Sequence, residues 1–137
     1  MYEFFMPMAR IPTATGQEKG YSKKTGTYYE PDRLKAARSK LMAHLAKHCP
    51  EASFQGPLRL VVKWCFPPTG PHKSGEWKTS KPDTDNLQKV LKDCMTRLGY
   101  WKDDAQVCSE IIEKFWWDMP GIFVGIYELD KEVGAHG

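Results

Sequence analysis

Two segments of the chain repeat apolar residues at the spacing of an amphipathic helix. The first has a proline-marked start at Pro31 and predicts a helix over residues 31–48. Its apolar positions are Leu34, Ala37, Leu41, Met42 and Leu45. The second begins at Thr84 and stops at Gly99, a residue suited to ending a helix. Its apolar stripe is Leu87, Val90, Leu91, Cys94, Met95 and Leu98, so we predict that each helix buries one face.

Four other segments have the residues of β-strands. Residues 58–66 alternate in the period of a half-buried strand, and residues 2–8 read as a strand at the start of the chain. Residues 107–117 and 122–129 are rich in β-forming residues. The turn signature at 118–121 separates these last two runs, which predicts a terminal hairpin.

The order of these elements is strand, helix, strand, helix, strand, strand. The stretches 12–27 and 67–82, rich in polar, glycine and proline residues, are predicted as loops. The small number of helices relative to strands predicts an α+β fold. We expect a two-layer sandwich, a mixed four-stranded sheet with two helices on one face. A length of 137 residues is that of one compact core, so we predict a single domain over 1–137.

Composition narrows the class of protein. A hydrophobic fraction of 41% supplies a core, yet no apolar run approaches the roughly 20 residues of a spanning helix. The first ten residues lack the basic segment and small-residue cleavage site of an export signal. The four cysteines are widely spaced and do not form the close pairs of zinc ribbons. We expect a cytoplasmic protein with reduced cysteines and no membrane partner.

Charge is distributed unevenly, although the net charge is only +3. Residues 10–102 carry 18 Lys and Arg against eight acids, a net charge of +10, whereas residues 103–137 carry two against eight, a net charge of −6. A basic body suits a polyanionic partner such as nucleic acid, and solvated surface charge is the alternative. The loop lysines that suit contacts with DNA phosphates are Lys23, Lys24, Lys73, Lys78 and Lys81.

Trp77 lies among these lysines in a polar loop, where a large apolar side chain needs an explanation. It could stack on an unpaired base or fold back onto the core, and we favour the core. Trp116 and Trp117 are adjacent in a predicted strand, so their side chains should point to opposite faces of the sheet.

Acidic residues flank the second predicted helix. The sequence K-P-D-T-D-N places Asp83 and Asp85 at its start, where either could simply cap the helix. Asp103 and Asp104 follow its end, and a strand start does not require two adjacent acids that repel each other. Lys89 lies four residues after Asp85 on the outward face, where an ordinary ion pair is the alternative.

Three of these carboxylates suit a metal site. A hard cation such as Mg²⁺ prefers oxygen ligands and commonly uses only a few carboxylates, and Asp83, Asp85 and Asp104 would supply them. The metal would polarise a phosphoryl oxygen, and Lys89 could neutralise charge that develops in the transition state. This chemistry hydrolyses phosphodiesters. The residues alone also leave open a non-catalytic nucleic-acid-binding module in which the acids only cap a helix and balance charge.

A longer motif narrows these alternatives. The stretch D-T-D-N-L-Q-K-V-L-K-D-C-M-T-R-L-G-Y-W-K-D-D-A-Q-V, residues 83–107, closely resembles the signature of the RusA-type Holliday junction resolvases. The resemblance implies a small homodimeric endodeoxyribonuclease of phage or prophage origin. Such an enzyme uses Mg²⁺, with Mn²⁺ as an alternative, and cuts four-way DNA junctions by paired nicks in recombination and repair.

The same resemblance assigns roles to residues by position. It implies that Asp83, Asp85 and Asp104 are the essential metal-binding carboxylates and that Lys89 is the catalytic lysine. The matched positions with supporting roles are Asn86, Asp103 and Gln106. The loop before the motif departs from a plain basic run by its prolines, glycines and Trp77, which leaves the junction contacts and any sequence preference open.

Overall fold

The computed structural model describes residues 1–13, 20–29 and 31–134. These residues form two helices, α1 (Asp32–Ala46) and α2 (Thr84–Leu98). They also form a four-stranded sheet and a separate two-stranded hairpin. The strands of the sheet are β1 (Tyr2–Pro7), β4 (Leu58–Phe66), β5 (Val107–Trp116) and β6 (Gly121–Glu128), and those of the hairpin are β2 (Gly20–Ser22) and β3 (Thr27–Tyr29). The predicted α+β fold, with a mixed four-stranded sheet and two helices, is confirmed.

The strand order in the main sheet is β1-β6-β4-β5, with β4 parallel to β5 and antiparallel to β6. The predicted terminal hairpin of β5 and β6 is therefore wrong, because β4 lies between them. The backbone N–H of Trp117 donates to the Phe66 carbonyl (2.8 Å), and that of Met8 donates to the Pro120 carbonyl (3.1 Å). The connection between β5 and β6 thus crosses the end of β4 and places β6 beside β1. This order gives the apolar strand β4 a partner on both edges, as a buried strand requires.

The helices pack their apolar stripes on the sheet and close the core. The Tyr100 hydroxyl, just after α2, donates to the Leu45 carbonyl of α1 at 2.6 Å. α2 has the predicted bounds because Gly99 adopts the left-handed conformation (φ 85°, ψ 25°) that ends a helix. α1 lies within its predicted range and is three residues shorter than predicted. Neither helix of the described chain has the length and apolar character needed to cross a membrane.

Part of the first predicted loop is ordered as the β2–β3 hairpin, in which Gly20 pairs with Tyr29 and Ser22 with Thr27. The prediction of a loop is therefore wrong for these strand residues, and strands of three residues are too short for alternation to identify. Residues 14–19 of that predicted loop lie outside the described residues. Lys23 and Lys24 are exposed in the turn of the hairpin.

The three tryptophans around the end of β5 have different surroundings. Trp116 is buried and Trp117 is 42% exposed, which confirms that they point to opposite faces. Trp77 is 64% exposed, so the expectation that it folds back onto the core is wrong. Its backbone instead forms a bridge with Phe115 of β5, which holds the side chain outside the core.

Candidate active site

Asp83 and Asp85 lie at the start of α2. Asp83 has the extended backbone of a capping residue (φ −74°, ψ 147°), but within the described structure its side chain makes no capping hydrogen bond. The carboxylate is 52% exposed and lies 3.5 Å from the Lys81 ammonium. Asp85 is exposed in the first turn, where the helix dipole favours a negative charge. Capping therefore does not explain the Asp83 carboxylate.

Gln88 and Lys89 are neighbours on α2 that face in different directions. Lys89 is exposed, whereas Gln88 is only 3% exposed. The Trp64 indole N–H donates to Gln88 Oε1 at 3.3 Å. An indole nitrogen only donates, so this contact fixes the amide oxygen toward Trp64 and turns the amide nitrogen away from it. Among the described residues, Gln88 Nε2 and the buried Asn86 Oδ1 have no hydrogen-bond partner.

Asp103 and Gln106 build the short 3₁₀ turn that carries Asp104. The Asp103 carboxylate accepts from the Ala105 N–H (2.9 Å), and Gln106 Oε1 accepts from the Asp103 N–H (3.1 Å), which forms a reciprocal capping box. The Gln106 amide nitrogen also donates to the carbonyls of Phe54 and Gly56, both at 3.1 Å. These two matched residues therefore hold the turn in place and leave Asp104 exposed.

A cleft of about 260 Å³ lies beside α2 and brings together residues that are distant in sequence. Its lining residues are Asp85, Gln88, Lys89, Lys92, Asp104, Glu110 and Ile112. Asp85 precedes the body of α2 and Asp104 follows its end, so the fold brings these two carboxylates to one cleft with Lys89. The sequence alone could not establish this convergence.

Glu110 is a residue of the cleft that the sequence interpretation missed. It lies on β5 opposite Leu60, a buried position of β4, so the strand alternation directs an acidic side chain toward the helix layer. Its carboxylate lies 3.3 Å from the Lys92 ammonium of α2. Its inward direction follows from the pairing with β4, so the sequence of β5 alone carries no signal that could have identified it.

Of the four residues predicted to be catalytic, Asp85, Asp104 and Lys89 line the cleft and Asp83 does not; the predicted supporting residues Asn86, Asp103 and Gln106 do not line it either. Among the described residues, no group of three His, Cys, Asp or Glu side chains is arranged to hold a metal ion. The structure thus brings Asp85, Asp104 and Glu110 to one cleft, and places Asp83 two residues before Asp85 at the same helix end.

Comparison with known proteins identifies the family. Residues 10–127 match the family model described as endodeoxyribonuclease RusA. The chain belongs to the endodeoxyribonuclease RusA family. It is 38% identical over 108 residues to the crossover junction endodeoxyribonuclease RusA of Lactococcus phage r1t, which covers 77% of this chain and 82% of that relative. It is also 33% identical over 131 residues to the uncharacterized protein YqaN of Bacillus subtilis strain 168, covering 86% and 91% of the two chains.

The RusA-family match confirms the resemblance that residues 83–107 carry and extends it on both sides of that motif. It includes strand β5 and the loop before α2. Lys114 of β5 links these two parts, because its ammonium donates to the carbonyls of Ser80 (2.5 Å) and Pro82 (2.8 Å). A half-buried strand residue thereby fixes the segment that leads directly into Asp83.

The lysines predicted to contact DNA differ in their surroundings. Lys78 is only 9% exposed, and its ammonium lies 4.4 Å from the centre of the Trp116 ring. It also donates to the Ser80 hydroxyl at 2.7 Å. Burial, and secondarily the charge of Lys114, lowers the pKa of Lys78. Lys78 thus holds the loop against β5 in this RusA-family chain, whereas the other predicted lysines are exposed, namely Lys23, Lys24, Lys73 and Lys81.

Proposed function

We propose that this RusA-family chain is a structure-selective endodeoxyribonuclease that resolves four-way DNA junctions by paired nicks. It would act on cytoplasmic DNA during recombination and repair. The observation that supports this most directly is the cleft where Asp85 and Asp104 meet with Lys89. The name of the Lactococcus phage relative, crossover junction endodeoxyribonuclease, supports the same activity.

We propose Mg²⁺ as the cofactor, with Mn²⁺ as an alternative. Asp85 and Asp104 would hold it in the cleft, and Asp83 would supply a third carboxylate from the same helix end. Exposed carboxylates are the ligands that this ion prefers, and a few of them suffice because water and substrate phosphate complete its coordination. When bound, the metal would polarise the phosphoryl oxygen and lower the pKa of a bound water.

Residues of the chain itself would bind the DNA and stabilise the charge that develops during cleavage. Lys89 would place a positive charge beside the phosphate as negative charge develops on it. Lys92 neutralises Glu110 at the far wall of the cleft and so limits repulsion of the DNA backbone. The exposed lysines Lys23, Lys24, Lys73 and Lys81 would bind phosphates elsewhere on the substrate, giving affinity without sequence information. Lys78 is not part of this set, because its ammonium is buried.

A nicking assay on a synthetic four-way junction tests the proposed function. We expect strand cuts that require Mg²⁺ and that occur in junctions but not in matched linear duplex. The second candidate function is a non-catalytic nucleic-acid-binding module, which the uneven charge also allows. Junction binding without any metal-dependent cutting, across Mg²⁺ and Mn²⁺, would favour that second function and contradict the first.

Lys114→Met is expected to raise the Mg²⁺ concentration needed for half-maximal cleavage by roughly tenfold. The change removes the two hydrogen bonds that fix the segment before Asp83, each worth roughly 1.5–3 kcal/mol when the donor is charged, and tenfold corresponds to about 1.4 kcal/mol. Cleavage rates measured across a Mg²⁺ titration report the effect. Lys35→Met, which removes an exposed lysine of α1, is the matched control. An unchanged Mg²⁺ requirement in Lys114→Met would show that this segment does not set metal affinity.

We also propose that the protein is a two-fold symmetric homodimer, because paired nicks need two sites and each chain has one acidic cleft of this kind in its described part. The sheet face opposite the helices supports this, since it carries apolar side chains such as Phe5, Phe123 and the exposed Ile111. Sedimentation equilibrium at micromolar concentration should give twice the chain mass of 15.7 kDa. A mass that stays at one chain, with junction DNA as well as without, would exclude the paired-nick mechanism by a dimer.

A further inference from the structure

An aromatic cleft lies at the end of β5 and has no role in the cleavage chemistry proposed above. It has a volume of about 180 Å³ and is lined by Gly75, Trp77, Phe115 and Trp117. Both tryptophans expose large parts of their rings. Two large apolar side chains kept side by side at a surface mark a binding site more often than a chance exposure.

The backbone holds this cleft in a fixed shape. The Gly75 N–H donates to the Trp116 carbonyl (2.7 Å), the Trp116 N–H donates to the Glu76 carbonyl (2.9 Å), and the Lys78 N–H donates to the Lys114 carbonyl (3.2 Å). The loop around Trp77 is therefore added to the edge of β5 like a short extra strand. Rings held this way lose little conformational freedom when a ligand binds.

The rings themselves are arranged to receive a flat ligand. Phe115 meets Trp77 edge to face at 6.0 Å and meets Trp117 edge to face at 5.6 Å, with ring planes near perpendicular. Neither tryptophan therefore stacks in parallel on Phe115, and Trp77 and Trp117 remain 64% and 42% exposed. Gly75 adds no side chain to the cleft. A planar aromatic ring system of about the size of a single base is the ligand chemistry that this shape suits.

The surroundings favour a nucleic acid as the source of that ring. The loop from Lys73 to Lys81 carries three lysines and one acid. That acid, Glu76, accepts the Lys73 backbone N–H with its carboxylate, and the ammonium of Lys73 is exposed. The exposed Lys81 ammonium lies 3.5 Å from the Asp83 carboxylate. Two other acids are nearby, Asp118 and Glu113, and Glu113 lies on the same face of β5 as Phe115. In a two-fold contact between copies of this chain, the same lysines would approach each other, which disfavours a second copy here.

Strand β5 connects the aromatic cleft to the acidic cleft. Phe115 and Lys114 are adjacent in β5, so their side chains project from opposite faces of the sheet. Phe115 contributes to the aromatic cleft, while Lys114 holds the carbonyls of Ser80 and Pro82 just before Asp83. The two clefts thus open on opposite faces of β5, and a DNA strand that reaches both would pass around β5, which is an edge strand of the sheet.

From this geometry we infer that the aromatic cleft binds an unstacked nucleobase near the branch point of the DNA substrate, with Trp77 as the main stacking surface. The inference rests on the proposed action on branched DNA. A four-way junction presents bases at its centre that are more easily unstacked than those of a continuous duplex. The cleft therefore contributes affinity for junctions that linear duplex does not receive, which makes Trp77 a residue of substrate discrimination.

The test compares junction and duplex binding by the full chain in EDTA, where cleavage cannot occur. Stacking of one base on an aromatic side chain predicts that Trp77→Ala weakens junction binding by about 5- to 150-fold and leaves duplex binding unchanged. Trp77→Phe keeps a ring and should retain most of the junction affinity. Met119→Ala, another exposed apolar residue near the end of β5, is the control and should bind as the unmodified protein does.

Two outcomes would overturn the inference. Equal losses, or no loss, for junction and duplex would show that Trp77 does not discriminate between them. A change from dimer to monomer in Trp77→Ala, seen by sedimentation, would show instead that the cleft contacts a second copy. The proposed nuclease activity is tested separately. Junction binding that depends on Trp77, without any Mg²⁺-dependent nicking, would contradict the nuclease activity and still support the base-binding site. If the unmodified protein binds no junction in EDTA, the base site is excluded outright.

Discussion

Asp85→Asn and Asp104→Asn are each expected to lower the rate of junction cleavage by roughly 1,000-fold or more. Both carboxylates line the same cleft, and asparagine keeps the shape of the side chain while removing its charge. A catalytic metal contributes several kcal/mol to transition-state stabilisation, and each 1.36 kcal/mol is a factor of ten in rate. Junction binding should stay intact or become tighter, because one source of repulsion toward phosphate is lost.

Single-turnover cleavage at saturating enzyme measures this effect, and a gel-shift assay in EDTA measures binding. Glu51→Gln is the control, since Glu51 is exposed and lines neither the acidic nor the aromatic cleft. Asp83→Asn tests whether a carboxylate that does not line the cleft also contributes to cleavage. A variant at any of the three positions that cuts at nearly the normal rate would remove that residue from the proposed site.

Lys89→Ala is expected to slow cleavage by about 100- to 1,000-fold while changing junction affinity little. This is the loss typical when one group that stabilises transition-state charge is removed. Lys89 lines the same cleft as Asp85, so in the proposed mechanism its charge would act at the reacting phosphate more than along the DNA backbone.

Rate and affinity must be measured separately for this variant, in single-turnover and equilibrium experiments. Lys35→Ala, an exposed lysine on α1, provides the matched loss of charge away from the cleft. If Lys89→Ala weakened binding and rate in equal proportion, Lys89 would hold the substrate in the ground state and would have no special role in the transition state.

The sequence predicted the helices and β4 well because each carries its own signal. The stripe from Leu87 to Leu98 has the period of a helix, and Gly99 can take the conformation that ends it. The pairing of β5 and β6 was predicted wrongly for a physical reason. The turn after Trp116 encodes a change of direction, but a local turn does not encode which strand lies alongside. That choice depends on the apolar strand β4, more than 40 residues earlier.

The candidate site could be predicted in part for similar reasons. Asp85, Asp104 and Lys89 were identified by their place in a recognisable motif, and the fold brings them to one cleft. Glu110 was missed because one acid in a strand gives no local signal until the facing helix is known. Asp103 and Gln106 belong to the same motif, yet their hydrogen bonds assign them to the turn itself.

The strand order also determines when this protein can complete its fold during synthesis. β1 is joined to the sheet only through β6. The strand β1 is therefore synthesised first among the strands of the sheet but can pair only after β6 has been made. Until then its apolar residues Phe4 and Met6 have no sheet partner, while β4 and β5 can already pair. The acidic cleft is built from parts made before β6, whereas the sheet that supports it is closed by β6. A nascent chain therefore holds the elements of its acidic cleft before it has a finished core.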